Sequence, residues 1–278
     1  MHNYKIAGAS VIGTFHDSAG YNNQDAYDHI STPGYIVAVV SDGCGSGRFS
    51  EVGSRICTQV LVHLVPALVI HARRVSWWVT EEDIPTWVME CCRQRLLELI
   101  RAGTVDITDD ENVVKNLIYE SYLFTVIGFY LSPNLSFAFH FGDGHIWIEG
   151  EHTALGPFPG NAPPYLAHQL DANHPDAGTC RQFSIVKLPR DVTSIAIATD
   201  GIDDFLAKEG HTLPGRNDVI IPNIQNIWED ATWYDHPAQL QRFLAKANPI
   251  TRPSLRALGM LSDDTTVVVC KRFSGPLV

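Results

Sequence analysis

The chain has 278 residues, of which 45% are hydrophobic and 18% are charged, the balance of a globular protein with a substantial core. Its formal net charge of −11 at pH 7 disfavours nucleic acid as a partner, because phosphate backbones are bound by basic surfaces. The six cysteines show neither CxxC pairs nor zinc-ligand spacing, so we expect free thiols in a reducing compartment.

The N-terminus lacks the basic and then apolar pattern of a signal peptide. The most apolar stretch, residues 60–70, contains His63 and Pro66 and is too short for a membrane span. We therefore expect a cytoplasmic protein with no membrane partner. We also expect one domain over residues 1–278 and a monomer.

The first predicted elements are a buried strand and two helices. Residues 35–40 are continuously apolar, which is typical of a buried strand, and Ser41-Asp42-Gly43 then forms a turn. After Ser50, a predicted N-cap, apolar residues recur four apart and indicate a helix face. A second helix is predicted to end near Gly103.

Strands dominate the next part of the chain. Residues 122–131 are rich in β-formers, and residues 136–141 alternate Phe with smaller or polar residues, the period of a strand with one face buried. Gly142-Asp143-Gly144 predicts a tight turn into residues 146–148, a hairpin with Asp143 at its tip. Residues 183–188 and 194–198 predict another pair, and residues 265–271 the last strand.

Two segments give weaker patterns. Residues 155–176 are rich in Pro and Gly and are predicted to be loop, while residues 224–233 and 237–247 have helical character. Strands and helices come in blocks rather than in strict alternation, which favours an α+β fold over a doubly wound parallel sheet.

Four short acidic motifs carry the functional argument: Asn23-Gln24-Asp25-Ala26, Ser41-Asp42-Gly43, Thr199-Asp200-Gly201 and Ser262-Asp263-Asp264-Thr265-Thr266. The last three adjoin apolar, β-branched runs, so each places a carboxylate at a strand end. Converging carboxylates repel one another unless cations lie between them. Because Mg²⁺ and Mn²⁺ prefer oxygen ligands, the pattern predicts a divalent-metal site.

These motifs, in this order, resemble the metal-dependent protein phosphatase family of the protein phosphatase 2C type. A bacterial variant with a His before the first acidic motif, here His16, is the most similar. The resemblance runs from about residue 16 to residue 269. It implies a four-layer α-β-β-α sandwich of two antiparallel sheets flanked by helices, with a site for two Mg²⁺ or Mn²⁺ ions, and a third held more loosely.

The resemblance also implies individual roles. Asp42 would bridge both metals, the Gly43 carbonyl would bind one of them, and Asp200 and Asp263 would complete the ligand set. Asp25 would act through metal-bound waters. The other implied roles are a third-metal ligand at Asp143 and a supporting carboxylate at Asp204. The implied activity is hydrolysis of phosphoserine or phosphothreonine in a protein substrate by a water activated between two metals.

The sequence departs from the family pattern at two positions. Cys44 follows the Asp-Gly pair, where relatives usually carry a His that acts as the general acid. Gly20 stands where many relatives carry a phosphate-binding Arg. His16 is a candidate for the missing proton donor, because imidazole titrates near neutrality, and the alternative is a structural His. Arg48 is a candidate for the missing cation, and the alternative is a solvated loop residue. A neutral thiol near its reference pKa of about 8.5 is a poor acid catalyst at pH 7, so Cys44 is expected to be a packed residue.

Two alternatives to a protein phosphatase follow from the same residues. The first is a weak or inactive relative that binds a phosphorylated partner without hydrolysing it, which the missing His and Arg favour. The second is a metal-dependent phosphatase for a small phosphorylated metabolite, with a pocket shaped by the Pro- and Gly-rich segment.

Overall fold

The computed structural model describes residues 3–75, 79–171, 174–175, 182–213, 216–224, 231–236, 238–248 and 259–273. The strands, in chain order, are β1 (Tyr4–Val11), β2 (Ala26–Ser31), β3 (Ile36–Ser41), β4 (Val126–Leu131), β5 (Ser136–Phe141), β6 (His145–Ile148), β7 (Glu151–Ala154), β8 (Ser184–Lys187), β9 (Ser194–Ala198), β10 (Thr212–Leu213), β11 (Arg216–Ile220) and β12 (Thr265–Arg272). The helices are α1 (Thr14–Ala19), α2 (Glu51–Arg74), α3 (Ile84–Ala102), α4 (Glu111–Ser121), α5 (Asp203–Leu206), α6 (Thr232–Asp235) and α7 (Gln239–Ala247).

Ten of these strands form two five-stranded sheets. One has the order β1-β12-β9-β6-β7 and the other β2-β3-β4-β5-β8, and neighbouring strands in both are antiparallel. Strands β10 and β11 pair separately as a small ribbon. The predicted α+β architecture with two antiparallel sheets is confirmed.

Strand β3 shows how the layers are packed. Val37 and Val39 point into the cluster formed with α2 and α3, whereas Ile36, Ala38 and Val40 point into a second cluster between the sheets. All five side chains are fully buried. A strand covered on both faces must be apolar at every position, which explains the continuous hydrophobic run.

Helices cover the outer face of each sheet. Helices α2 and α3 pack on the second sheet through side chains such as Leu61, Val65 and Leu96. On the first sheet, α7 buries Leu240 and Leu244 against β1 and β12. These two helical layers and the two sheets make the four layers that the family resemblance implies.

Helix α2 is long and apolar enough to cross a bilayer by length and composition alone. It has 24 residues and continues through Pro66, so the prediction that this region is too short for a span is wrong. Half of its most apolar window is buried inside the protein, including Leu61, Val62 and Val65. Packing on β3 explains this apolar composition, as it does for core helices in general.

Both predicted hairpins of the middle region are wrong. Strand β5 pairs with β4 and β8, while β6 pairs with β7 and β9, so the turn at Asp143 carries the chain from one sheet to the other. Gly142 (φ 98°) and Gly144 (φ 120°) allow this crossing, because other residues rarely adopt such angles. Strands β8 and β9 are likewise in different sheets.

Other local predictions have mixed outcomes. Ser50 occupies the predicted N-cap position of α2, but it has helical angles (φ −64°, ψ −18°) and its side chain makes no cap hydrogen bond. The end of α3 next to Gly103 is confirmed. The predicted loop at 155–176 contains two short 3₁₀ turns, Pro159–Asn161 and Leu166–Leu170, while residues 172–173 and 176 lie outside the described part. Of the two segments predicted to be helical, residues 224–233 overlap α6 and residues 237–247 contain α7. Residues 225–230 and 237 lie outside the described part.

Candidate metal centre

Five aspartates lie at one end of the sandwich. Asp25 directly precedes β2, Asp42 directly follows β3, Asp143 lies between β5 and β6, Asp200 follows β9, and Asp263 precedes β12. The strand registers bring these ends together: Ala26 pairs with Ser41, and Ala198 pairs with both Val267 and His145. Acidic residues from five separate segments therefore share one edge between the two sheets.

All five carboxyl groups have a raised pKa, and burial is the largest cause in each. Burial, and then the charges of Asp25, Asp200 and Asp263, raises the pKa of Asp42 well above its usual value. Burial, and then the charges of Asp143 and Asp263, raises the pKa of Asp200 to about 7. Burial is also the main cause of the raised pKa of Asp143 and of Asp263. Divalent cations typically bind at such clusters, because their positive charge stabilises carboxylates that otherwise resist ionisation.

Asp25 gives a second reason to place cations here. Its side chain is buried, and Oδ2 accepts a hydrogen bond of 2.7 Å from the Thr199 hydroxyl. Its other oxygen, Oδ1, is buried without a hydrogen-bond donor, and burial followed by the charge of Asp264 raises the pKa of the group. The carboxyl of Asp42 lies within hydrogen-bonding reach of the Asp25 carboxyl. Because Asp42 is also acidic, it can donate to Asp25 only when it is protonated. A buried carboxylate oxygen without a donor, close to a second acidic group, suits a divalent ion or its water shell.

His16, predicted from sequence as a catalytic residue, is buried beside this cluster. Its Nδ1 lies 2.9 Å from Oδ2 of Asp264 and 3.8 Å from Oδ1 of Asp263. The contact with Asp264 is short but poorly aligned for a hydrogen bond, so we regard it as an ion pair. Interaction with Asp264 raises the pKa of His16 more than burial lowers it.

Asp264 is a buried acidic residue of the site to which the sequence reasoning assigned no role. It is buried, and it accepts hydrogen bonds from the backbone N–H groups of Gly13 (2.7 Å) and Gln24 (2.6 Å). With His16 and Asp263 it forms a group whose ligand atoms lie within 4.8 Å of one another. Its position next to Asp263 was the only signal in the sequence, and that signal does not separate a metal ligand from a residue that holds the loops in place.

Two glycines let the loops approach closely at this edge. A Cβ built on Gly13 would lie 2.3 Å from the backbone carbon of Asp263, and one built on Gly201 would lie 1.9 Å from the carbonyl oxygen of Asp264. Gly43, a predicted ligand through its carbonyl, has its N–H bonded to the carbonyl of Gln24 at 3.2 Å. No larger residue fits at Gly13 or Gly201 without moving a carboxylate-bearing segment.

The remaining predicted residues take different positions. Asp204 accepts hydrogen bonds from the backbone and hydroxyl of Ser262, and so braces the segment before Asp263. Arg48 is exposed, with its guanidinium 5.1 Å from the centre of the Phe49 ring, and its contact with substrate phosphate stays a prediction. The family's Arg position, Gly20, has a φ of 76° at the end of α1 and contributes no side chain.

Cys44 is half-buried, and its Sγ lies 3.2 Å from the hydroxyl of Ser46. Sequence reasoning missed its neighbour Tyr165, a buried residue from the segment predicted to be loop. Burial, and then the nearby Cys44, Asp42 and Asp143, raises the pKa of the Tyr165 hydroxyl. The Tyr165 side chain therefore lies beside Cys44, the position where relatives carry the acid-catalytic His.

Carboxylates from both sheets therefore meet at one edge of a four-layer fold. The family profile for protein phosphatase 2C matches residues 12–245 of the sequence, and the chain belongs to that family. Comparison with curated protein sequences gives no match.

Solved structures show the same fold at low sequence identity. A bacterial serine phosphatase carrying an arginine-to-alanine mutation matches with a TM-score of 0.55 and 13% identity, over 98% of this chain and 100% of that chain. A C. elegans sex-determining protein matches with a TM-score of 0.53 and 11% identity, over 98% of this chain and 65% of that chain. These likenesses establish the fold, whereas the activity has to be argued from the site.

Proposed function

We propose that the protein is a Mn²⁺- or Mg²⁺-dependent phosphatase that hydrolyses phosphoserine or phosphothreonine in a protein substrate. The observation that carries the proposal is the cluster of Asp25, Asp42, Asp143, Asp200 and Asp263 at one edge of the sandwich, with an orphaned oxygen on Asp25. Membership in the protein phosphatase 2C family supports the same reaction class.

The cluster fits two divalent ions by its chemistry, because every donor in it is an oxygen. We propose Asp42, the Gly43 carbonyl, Asp200 and Asp263 as the ligands of the pair, with Asp143 holding a third ion. When bound, two such ions activate a water and neutralise the phosphoryl oxygens. Asp25 is poised to hold and orient water, because its Oδ2 is fixed by Thr199 while its Oδ1 is free of protein donors.

The chain's own proton donor is His16 in this proposal. Asp264 fixes the ring through Nδ1 and favours its protonated form, which leaves Nε2 on the side of the Gly45 loop. A proton held at Nε2 is available to a seryl or threonyl leaving group. Protonation of an alkoxide in the transition state typically contributes about 10²–10⁴-fold.

The test is hydrolysis of an aryl phosphate with Mn²⁺, with Mg²⁺ and with EDTA. We expect metal-dependent turnover that EDTA abolishes and added metal restores. A phosphoserine peptide should then be preferred over sugar phosphates, whereas the opposite preference would assign the protein to small metabolites. Asp191, an exposed loop residue, gives a matched control, since Asp191→Asn should leave turnover unchanged while Asp200→Asn should remove it.

A second candidate is a binding protein that retains a phosphorylated partner without hydrolysing it. Cys44 and Gly20, which replace the family's acid and its phosphate-binding Arg, are the observations that favour it. The distinguishing result is metal-dependent binding of a phosphopeptide, measured calorimetrically, with no release of phosphate. Turnover of the aryl phosphate above the rate seen with Asp42→Asn would exclude this candidate.

A further inference from the structure

Exposed hydrophobic side chains gather beside the metal centre. Among the described residues, eight large hydrophobics are exposed, and four of them lie in the two segments next to the carboxylates, residues 13–24 and 42–52. We name these four the aromatic rim: Phe15, Tyr21, Phe49 and Val52. Single exposed hydrophobics are ordinary on protein surfaces, whereas a group beside a site indicates a binding surface.

The two segments that carry the rim residues are hydrogen-bonded to each other. Asn22 donates a hydrogen bond of 2.7 Å from its amide to Glu51, and Gln24 donates one of 2.6 Å to the carbonyl of Gly47. A Cβ built on Gly45 would lie 3.6 Å from Nε2 of His16. The segment before β2 and the segment that leads into α2 are therefore held side by side.

This surface borders the carboxylate cluster directly. The N–H of Phe15 bonds to the carbonyl of Ser262 at 3.0 Å, next to Asp263. The Tyr21 ring lies 5.9 Å from the ring of His16, between centres. The rings of Phe15 and Tyr21 therefore flank His16, which lies beside Asp263 and Asp264.

The charges of the two segments limit which kind of substrate can bind at the rim. In these two segments, residues 13–24 and 42–52, Arg48 is the only Lys or Arg. Its guanidinium lies over the Phe49 ring. A long acidic substrate would meet one cation and many carboxylates here. A segment with a single phosphorylated residue and apolar neighbours matches the surface better, because its flanking side chains bury the rim while Arg48 faces the phosphate.

We propose that the aromatic rim binds apolar side chains flanking the phosphorylated residue of a polypeptide substrate, and so selects phosphoserine segments by their hydrophobic neighbours. This inference rests on the proposed function. It names the substrate class as an apolar phosphopeptide segment rather than a polar one, and it assigns Phe15 and Phe49 as specificity residues that do not touch the reacting phosphate.

The experiment uses two phosphoserine peptides of equal length and charge, one with Leu and Phe on both sides of the phosphoserine and one with Ser and Gly. We expect kcat/KM to be about 10-fold or more higher for the apolar peptide, the effect of burying one large side chain. Phe15→Ser and Phe49→Ser should each remove most of that preference. Aryl-phosphate turnover should stay at the wild-type level, because this substrate ends before the rim.

Ile107→Ser is the matched control, since Ile107 is 66% exposed and Phe15 is 65% exposed, but Ile107 lies between α3 and α4, away from the rim. It should leave both peptide rates unchanged. Equal kcat/KM for the two peptides, or an equal loss in Ile107→Ser and Phe15→Ser, would overturn the proposal. Preference for a nucleoside monophosphate over the apolar peptide would overturn it too, by assigning the rim to base stacking.

A binding measurement separates this inference from the proposed function. Labelled phosphonate versions of the two peptides cannot be hydrolysed, and fluorescence anisotropy with Mn²⁺ reports their affinities. Tighter binding of the apolar phosphonate with no turnover of any phosphate would refute the phosphatase and support the rim. Turnover of the aryl phosphate with equal affinity for both phosphonates would refute the rim and leave the phosphatase.

Discussion

Replacing Asp200 by Asn is expected to stabilise the metal-free protein and to destabilise it relative to wild type once metal is present. In the fold, burial and the charges of Asp143 and Asp263 raise the pKa of Asp200 to about 7, from an ordinary value of about 4. The native state therefore keeps a proton between about pH 4 and pH 7 that the unfolded chain has lost. Stability falls as pH rises through this window and stays low above it.

The size of the effect follows from the shift. Each pKa unit corresponds to about 1.4 kcal/mol, so a shift of about three units gives an upper bound of about 4 kcal/mol at pH 8. Asp200 is half-buried and its neighbours relax, so we take about 2 kcal/mol. For 278 residues, an unfolding entropy of about 2 cal/mol/K per residue converts this into a rise in Tm of about 3–4 °C.

The assay is thermal unfolding of wild type and Asp200→Asn in EDTA at pH 5 and pH 8, with Asp191→Asn as the control. The gain should be largest at pH 8 and small at pH 5, where Asp200 is already protonated in the fold. Mn²⁺ should then raise the Tm of wild type far more than that of the variant, by preferential binding to the native state. A lower Tm for Asp200→Asn at pH 8 in EDTA would show that the carboxylate has a structural role and would refute the reasoning.

Three further predictions concern activity. Asp42→Asn should lower turnover by several orders of magnitude and leave the circular dichroism spectrum unchanged, because the proposed ligand shared by two ions is lost; residual turnover near wild type would place the metals elsewhere. Cys44→Ser should keep a sizeable part of the activity, since water is the proposed attacking group, and complete loss with trapping of a phosphocysteine would contradict this. His16→Ala should slow phosphoserine peptides far more than aryl phosphates, whose leaving groups need no proton, and equal losses on both would make His16 a packing residue.

Local patterns were enough to predict the strands and helices that are buried on a regular period. The apolar run ending at Asp42 is a strand because both of its faces are covered, and the helix after Ser50 follows from apolar residues four apart. Strand β1 and helix α4 were not predicted. In β1 only small residues and Val11 are well buried, so the apolar pattern is weak, and α4 buries little apart from Ile118.

The pairing of strands could not be read from neighbouring residues. A turn such as Gly142-Asp143-Gly144 is compatible with a hairpin or with a crossing between sheets, and the choice depends on partners far along the chain. Here β6 pairs with β9, and β12 lies between β1 and β9, so the first sheet joins both ends of the sequence. Those long-range contacts decide which strand ends meet, and therefore which carboxylates share a site.

The sequence by itself determined the α+β composition, the buried strands and the set of acidic residues at strand ends, because these depend on local periodicity and on residue chemistry. Only the tertiary structure decided that Asp264 pairs with His16, that Tyr165 lies beside Cys44, and that Asn22 bonds to Glu51 at the start of α2. Each of these contacts joins loops separated by tens to hundreds of residues. The packing of two sheets against each other brings such loops together, and no local pattern records it.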